Sequence, residues 1–207
     1  MSLNTKSAAP LTRSRSRRSQ AVTFADMQEA EFAWWKSYLR HPTAKQRMLA
    51  LYGARYYGFF FADMMGAGRT VEIGSGPLPV METVIYDRGV AVDTLGPRYK
   101  AEALTTWEIL PGTVEVPSDW ADTVLLLNVL DHTNDPRALI AEAHRILEPG
   151  GKALVFVHLG QQDDKHAFIT EHDIRGWLEG FDLERDEILA SAPFDPPAFA
   201  AVAVKHE

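Results

Sequence analysis

Residues 122–159 carry two long apolar runs on either side of one amphipathic segment. The runs are DTVLLLNVL (122–130) and KALVFVHL (152–159), and their nearly continuous hydrophobicity predicts strands that are buried on both faces. Between them, NDP (134–136) predicts a helix start with a side-chain cap and a proline at the first position, and PGG (149–151) predicts its end. Two buried strands joined by a helix are typical of a parallel sheet with helices on both faces.

The same alternation of strands and helices extends from residue 70 to the end of the chain. The predicted strands are 70–74, 89–93, 113–116, 122–130, 152–159, 181–188 and 199–204. A helix of modest length is expected between the first two strands, and Thr170 and Asp173 cap a short helix after the fifth. The pattern predicts an α/β fold, a doubly wound and mostly parallel sheet in one domain.

Two helices are predicted before the sheet. Thr23 and Asp26 fit a capping box that starts a helix over 23–40, and a second helix starts at Thr43 and ends at the glycines of 66–68. The predicted organisation is a flexible basic tail (1–20), an N-terminal helical segment (21–68) and a Rossmann-like core (69–207).

Composition and charge exclude several function classes. The chain has no cysteine, which excludes disulfides, thiolate zinc sites and cysteine nucleophiles. The net charge is −7 although residues 1–20 hold five basic side chains and no acid. The rest of the chain is therefore acidic, which argues against binding to nucleic-acid phosphates. No apolar run approaches the roughly 20 residues of a membrane span, and no secretory signal opens the chain. We expect a cytoplasmic protein.

The first strand runs into a glycine turn in VEIGSGPLP (71–79). Gly74 and Gly76 let the backbone approach a ligand at the start of the following helix; the alternative is a tight turn without a ligand. A dinucleotide fingerprint would need a third glycine where Pro79 stands.

Two acidic residues near this turn favour a ligand with an ammonium group and a ribose. Glu72 lies within the strand before the turn, where a carboxylate can attract an ammonium. Asp93 ends the next strand, at the position where an acid bonds ribose hydroxyls. Both features favour S-adenosylmethionine over NAD.

These segments together resemble the class I S-adenosylmethionine-dependent methyltransferases of the small, single-domain type. VEIGSGP resembles the first motif of that family, GVAVD its second, and residues 122–151 a long stretch that ends in LEPGG. The resemblance covers about residues 68–205. It implies a seven-stranded sheet in the order 3-2-1-4-5-7-6 whose last strand is antiparallel.

The resemblance also implies a set of cofactor-binding residues. Glu72 would serve the methionine amino group, the glycine turn would wrap the methionine end, Asp93 would hold the ribose, and Asn128 would lie near the methyl group. Leu78 replaces the third glycine of the family, and Gly112 stands where an acid often meets adenine, so Glu115 or the backbone of Val116 is the expected substitute. The predicted set is Glu72, Gly74, Ser75, Gly76, Asp93, Glu115, Val116 and Asn128.

Two histidines are candidate general bases. His132 follows the fourth strand and His158 ends the fifth, and an imidazole accepts a proton near neutral pH. The alternative is that His132 only caps the next helix and orders its loop. A metal site from Asp131, His132, His158, Asp163 and Asp164 matches no strong ligand pattern, so we predict none.

Three functions follow as hypotheses. The first is an enzyme that methylates an oxygen or nitrogen of a small metabolite, such as a sugar or natural-product intermediate. The second is a non-catalytic, methyltransferase-like adapter that binds a partner, or a second copy in an oligomer, through its N-terminal helices. The third is an RNA-modifying methyltransferase that uses the basic tail. The aromatic residues of the helices either stack on an acceptor or join the helices to the core: Trp34, Trp35, Tyr38, Tyr56 and Tyr57.

Overall fold

A computed structural model of the chain describes residues 23–161, 166–190 and 196–206. The predicted tail and the loop residues Asp163 and Asp164 lie outside these residues. The elements in chain order are α1 (Phe24–Tyr38), α2 (Ala44–Met64), β1 (Arg69–Ile73), β2 (Arg88–Val92), α3 (Gly96–Ala101), β3 (Ile109–Leu110), β4 (Ala121–Leu127), α4 (Pro136–Ile146), β5 (Leu147–His158), α5 (Glu171–Trp177), β6 (Phe181–Leu189) and β7 (Ala198–Lys205). Short 3-10 helices span Val80–Thr83, Thr113–Glu115 and Leu130–His132.

The strands form one seven-stranded sheet in the order β3-β2-β1-β4-β5-β7-β6. β1, β2, β3, β4 and β5 pair in parallel, whereas β7 runs antiparallel to both β5 and β6. The predicted fold, strand order and antiparallel last strand are confirmed. Within the described residues, no helix is both long and apolar enough to cross a bilayer.

The predicted third strand is wrong. Residues 113–116 were expected to form it, but β3 is Ile109–Leu110, and Thr113–Glu115 is a 3-10 turn beyond the sheet edge. Arg145 of α4 holds this turn away from the sheet, because its guanidinium donates hydrogen bonds to the carbonyls of Thr113 and Val116. Val114, which made the segment look like a strand, is 88% exposed.

The helix expected between β1 and β2 is only the single turn Val80–Thr83. Pro77 and Pro79 lack backbone N–H groups and keep the chain before this turn extended. The Glu72 side chain accepts the first N–H groups of the turn. A single turn therefore replaces the helix that usually follows such a strand.

Each face of the sheet carries its own hydrophobic core. On one face, α4 and α5 pack against residues such as Val71 and Ile73 of β1. On the other face, α1 and α2 pack against β2, β4 and β5, with Phe60 of α2 fully buried. Because side chains alternate along a strand, Glu72 lies on the face that the N-terminal helices cover. These helices form the wall of the site described next.

Candidate active site

A cavity of about 630 Å³ lies between the N-terminal helices and the carboxyl ends of β1, β2, β4 and β5. Two parts of its wall differ in character. The glycine-turn end consists of Glu72, Gly74, Ser75, Gly76 and Asp93. The β4–β5 end consists of Arg55, Asn128, His132, His158 and His166, with the fully buried Asp131 beside them.

The glycines of the turn are required by backbone conformation and by packing. Gly74 has φ +73° and Gly76 has φ +57°, in the left-handed region that glycine adopts without strain. A Cβ atom at Gly74 would lie 2.0 Å from Cγ2 of Val129, and one at Gly76 would lie 3.1 Å from Cζ2 of Trp35. The turn is therefore packed between the loop after β4 and the α1 indole.

Glu72 is buried at the base of the cavity, and backbone donors bind its carboxylate. Its Oε1 accepts a hydrogen bond from the N–H of Val80 at 2.8 Å, and its Oε2 accepts one from Met81 at 2.9 Å. Burial raises the pKa of Glu72 to about 8, although these hydrogen bonds oppose the shift. A ligand ammonium near Glu72 would compensate the cost of burying its charge.

Asp93 ties the glycine turn to the end of β2. Its Oδ2 accepts a hydrogen bond from the N–H of Gly76 at 2.9 Å, and its Oδ1 accepts one from Leu95 at 2.8 Å. Burial raises the pKa of Asp93, and both hydrogen bonds oppose that effect. Glu72 and Asp93 line the same cavity, as a single ligand that uses both would require.

Asn128 and His132 lie together after β4. Asn128 has φ +61°, and its N–H donates a hydrogen bond to the carbonyl of Phe156 on β5. Its side-chain amide nitrogen lies 3.4 Å from His132 Nε2. His132 Nδ1 lies 3.6 Å from Oε2 of Glu31 on α1. A carboxylate at that distance favours the proton on Nδ1, which leaves Nε2 as the basic nitrogen.

His158 ends β5 and is buried at the same end of the cavity. Its Nδ1 lies 3.2 Å from the carbonyl oxygen of Pro196. Because a carbonyl only accepts hydrogen bonds, Nδ1 carries the proton and Nε2 is free of it. Burial and then the charge of Arg55 lower the pKa of His158, so its ring is neutral at pH 7.

Asp131, His132 and His166 form a group whose ligand atoms lie within 4.8 Å of one another. The His132 and His166 rings are 4.5 Å apart, edge to face. Asp131 is fully buried, and burial raises its pKa to about 6. This set differs from the one considered in the sequence, because His166 takes part and His158 does not. The absence of a metal cofactor stays a prediction.

The residues predicted to contact adenine, Glu115 and Val116, lie outside the cavity wall. Gly112 and Thr113 line the cavity beside β3, whereas Glu115 and Val116 do not. Glu115 is exposed, and Val116 packs into the core on the far face of the sheet. The sequence reasoning missed Glu31, Arg55 and His166. A signal existed for Arg55, since it interrupts an otherwise apolar helix face.

Most of the predicted aromatic residues line the cavity, and two of them also belong to the hydrophobic core. Trp34, Trp35, Tyr38 and Tyr56 line the cavity, while Tyr57 does not. Trp35 and Tyr56 are also buried members of the core. The helices therefore join the core through the same face that forms the cavity wall.

Residues 54–188 match the profile of a protein family described as "Methyltransferase domain". This match spans more than half of the chain. The chain belongs to the methyltransferases. The predicted class I S-adenosylmethionine-dependent family is thus confirmed, and with it S-adenosylmethionine as the cofactor of that family.

A more distant relative is also a methyltransferase. The ubiquinone biosynthesis O-methyltransferase of Pseudomonas paraeruginosa is 27% identical over 140 residues, which cover 58% of this chain and 56% of that relative. The chain thus spans little more than half the length of that relative.

Two solved structures show the same fold at low sequence identity. The 1,6-didemethyltoxoflavin-N1-methyltransferase of Burkholderia thailandensis is 14% identical with a TM-score of 0.60, and the similarity covers 97% of this chain and 94% of that one. The N-methyltransferase NodS of Bradyrhizobium japonicum, in complex with S-adenosylhomocysteine, is 16% identical with a TM-score of 0.59, covering 86% and 99%.

Proposed function

We propose that this protein transfers the methyl group of S-adenosylmethionine to an oxygen or nitrogen atom of a small acceptor. One observation carries the proposal: the two buried carboxylates, Glu72 and Asp93, flank the glycine turn in a cavity that continues to His132 and His158. The cavity volume of about 630 Å³ falls in the usual range for small-molecule sites. This supports a small acceptor.

The glycine-turn end fits the cofactor of the family. Gly74 and Gly76 line the cavity, so their backbone is available to the methionine end. Glu72 would attract the ammonium group and Asp93 the ribose hydroxyls. When bound, S-adenosylmethionine supplies a methyl carbon that is activated by its positively charged sulfur.

His132 is the proposed base at the β4–β5 end. With the cofactor held by Glu72, the glycine turn and Asp93, a hydroxyl acceptor would receive its methyl group, and His132 Nε2 would take the hydroxyl proton. Glu31, 3.6 Å from Nδ1, would orient the ring and stabilise the imidazolium. His158 is the second candidate, since its Nε2 is unprotonated and its ring is neutral. Asn128, 3.4 Å from His132, would lie near the methyl group.

Several finer predictions stay open to experiment. The type of acceptor, a cytoplasmic location and the exclusion of nucleic acid as substrate remain predictions. The adapter hypothesis and association through the N-terminal helices also remain. The buried Trp35 and Tyr56 of those helices are packed within this chain, so they would not be available to a partner.

Calorimetric titration with S-adenosylhomocysteine, the demethylated product, tests the proposal. We expect saturable binding by the wild type and a dissociation constant about 10- to 100-fold higher for Asp93→Ala, because a hydrogen-bonding carboxylate is lost. Asp87→Ala is the matched control, since Asp87 is exposed just before the opposite end of β2. Absence of binding by the wild type at millimolar ligand would refute the proposal, and equal losses in both variants would refute the role of Asp93.

A further inference from the structure

One arginine lies on the apolar face that α2 turns toward the cavity. The α2 residues that line the cavity are Met48, Leu51, Tyr52, Arg55 and Tyr56. Their spacing of three and four residues places them on one helix face. A charged side chain in this row is costly unless a partner compensates it.

Within the described part of the chain, Arg55 forms no ion pair with a carboxylate. Its Nε is buried and has no hydrogen-bond acceptor there. The Tyr56 hydroxyl and, through its charge, the buried Asp131 carboxylate interact with the guanidinium, so its charge is compensated only in part. Its guanidinium carbon lies 5.9 Å from the centre of the Phe156 ring. The other half-buried arginines of the described residues each bond a carboxylate: Arg69 with Asp122, Arg145 with Glu142 and Arg185 with Asp63.

We propose that Arg55 binds a carboxylate group of the methyl acceptor, and that this acceptor is an aromatic or similarly flat apolar acid. This inference rests on the proposed function and names its substrate class. A guanidinium presents paired N–H donors that match the two oxygens of a carboxylate. Arg55 lines the cavity while its Nε is buried, so its terminal nitrogens are the donors that such a carboxylate would meet.

The rest of the wall favours a flat apolar body with a single negative charge. Trp34, Trp35 and Tyr38 of α1 face the same cavity as Tyr52 and Tyr56 of α2, and aromatic rings pack well against such a body.

The charges around Arg55 match a monoanion better than a group with two negative charges, because the Asp131 carboxylate already acts on the guanidinium through its charge. His158 is neutral at pH 7, because burial and Arg55 itself lower its pKa, so it adds no positive charge. The acceptor carboxylate would lie beside β5, and His132 after β4 would remain for the nucleophilic atom.

Benzoate and benzamide are suitable probes, because they share one shape and differ in charge. The cavity-lining Trp34 and Trp35 provide a fluorescence signal for titrations with and without S-adenosylhomocysteine. We expect wild-type protein to bind benzoate at least about tenfold more tightly than benzamide. Saturation is expected in the millimolar range, as for other ligands of this size.

Three variants separate the role of Arg55 from general effects of charge. Arg55→Met keeps the aliphatic stem and should remove the preference for benzoate. Arg55→Lys keeps the charge without the paired donors and should retain only part of that preference. Arg47→Met is the matched control, since Arg47 lies exposed on the same helix, and it should behave as wild type.

The outcomes distinguish this inference from the proposed function. Equal affinity of the wild type for the two probes, no saturable quenching by benzoate up to about 10 mM, or a preference that survives in Arg55→Met would overturn the role of Arg55. If Arg55→Met is not folded by circular dichroism, Arg55→Lys decides by the same comparison. Failure of the wild type to bind S-adenosylhomocysteine would instead overturn the proposed function, and the benzoate titration without it would still test Arg55.

Discussion

The buried polar groups at the two ends of the cavity differ in whether they have hydrogen-bond partners. At the glycine-turn end, each carboxylate oxygen of Glu72 and Asp93 accepts a hydrogen bond from a backbone N–H. At the β4–β5 end, Arg55 Nε, Asn128 Oδ1 and both carboxylate oxygens of Asp131 are buried without a partner among the described residues. Each such group costs about 1–3 kcal/mol. The carboxylates of the first end are thus held by the protein backbone, whereas the second end keeps unsatisfied polar groups.

The largest expected effect tests the chemistry assigned to the β4–β5 end. His132→Gln should lower turnover about 10²- to 10⁴-fold for a hydroxyl acceptor, because the proton loses its recipient. The dissociation constant for S-adenosylhomocysteine should stay within about twofold of wild type, since a base contributes little to product binding. Turnover on an acceptor found in a panel of phenols and amines provides the measurement.

His172→Gln is the control for that prediction, because His172 is exposed on α5. It should leave both turnover and binding unchanged. A variant His132→Gln that turns over normally would assign the base to His158 or leave the reaction without one. Either outcome would remove the catalytic role proposed for His132.

The second prediction tests whether the glycine-turn end is as rigid as its packing indicates. Gly74→Ala places a side chain at φ +73° and 2.0 Å from Val129. We expect a lower melting temperature and no measurable binding of S-adenosylhomocysteine, since the strain alone is about 1–2 kcal/mol.

Gly58→Ala is the matched control, because Gly58 is exposed within α2 and nothing lies near its Cβ position. It should raise the melting temperature, since alanine favours a helix by about 1 kcal/mol over glycine. Unchanged binding in Gly74→Ala would show that the turn adapts easily and would remove the argument for a preformed cofactor end.

The third prediction concerns the proton on Glu72. Its pKa is raised to about 8 by burial, so at pH 6–7 the empty site holds a proton that must leave when an ammonium group binds. The affinity for S-adenosylhomocysteine should therefore rise by roughly tenfold per pH unit between pH 6 and 7. In Glu72→Gln that slope should disappear, and calorimetry in buffers of different ionisation enthalpy should detect no proton release.

The raised pKa of Glu72 affects stability in the direction opposite to its effect on ligand affinity. Because the pKa of Glu72 in the folded state lies above its value of roughly 4.3 in an unfolded chain, its contribution favours folding below that value. It is lost as the pH rises toward about 8. A free energy of unfolding that falls less steeply toward pH 8 in Glu72→Gln than in wild type would sharpen the assignment. Identical profiles would contradict it.

The smallest expected effect concerns the group of Asp131, His132 and His166. We predict that EDTA changes turnover by less than about twofold and that added Zn²⁺ leaves the melting temperature unchanged, because a structural zinc site typically uses four ligands. A marked rise of the melting temperature with Zn²⁺ would overturn the prediction. It would also explain the unpartnered oxygens of Asp131 by a cation rather than by an acceptor.

Sequence reasoning grouped the residues of the glycine-turn end because that end is local, and their role toward the cofactor stays a prediction. Glu72, Gly74 and Gly76 follow one another in the chain, and the parallel pairing of β1 with β2 brings Asp93 beside them. The third strand was misplaced because β3 is an edge strand with only two paired positions. Its place was taken in the prediction by a β-branched segment that Arg145 holds elsewhere.

The β4–β5 end was predicted only in part because residues far apart in the sequence form it. His132 and His158 follow strands that the sequence identified. Glu31 and Arg55 belong to helices whose approach to the sheet depends on tertiary packing, and His166 lies in the segment between β5 and α5. No local pattern could specify which of these side chains meet.

The family match begins at residue 54, within α2, so all of α1 and the first half of α2 precede it. These helical parts nevertheless supply Glu31, Trp34 and Tyr52 to the cavity wall. Grafting the corresponding helices between related enzymes is therefore a rational route to new acceptor preferences with the cofactor machinery unaltered. Such a chimera has to keep a flat ring at Trp35, because the indole packs against Gly76 and couples the exchangeable wall to the glycine turn beneath it.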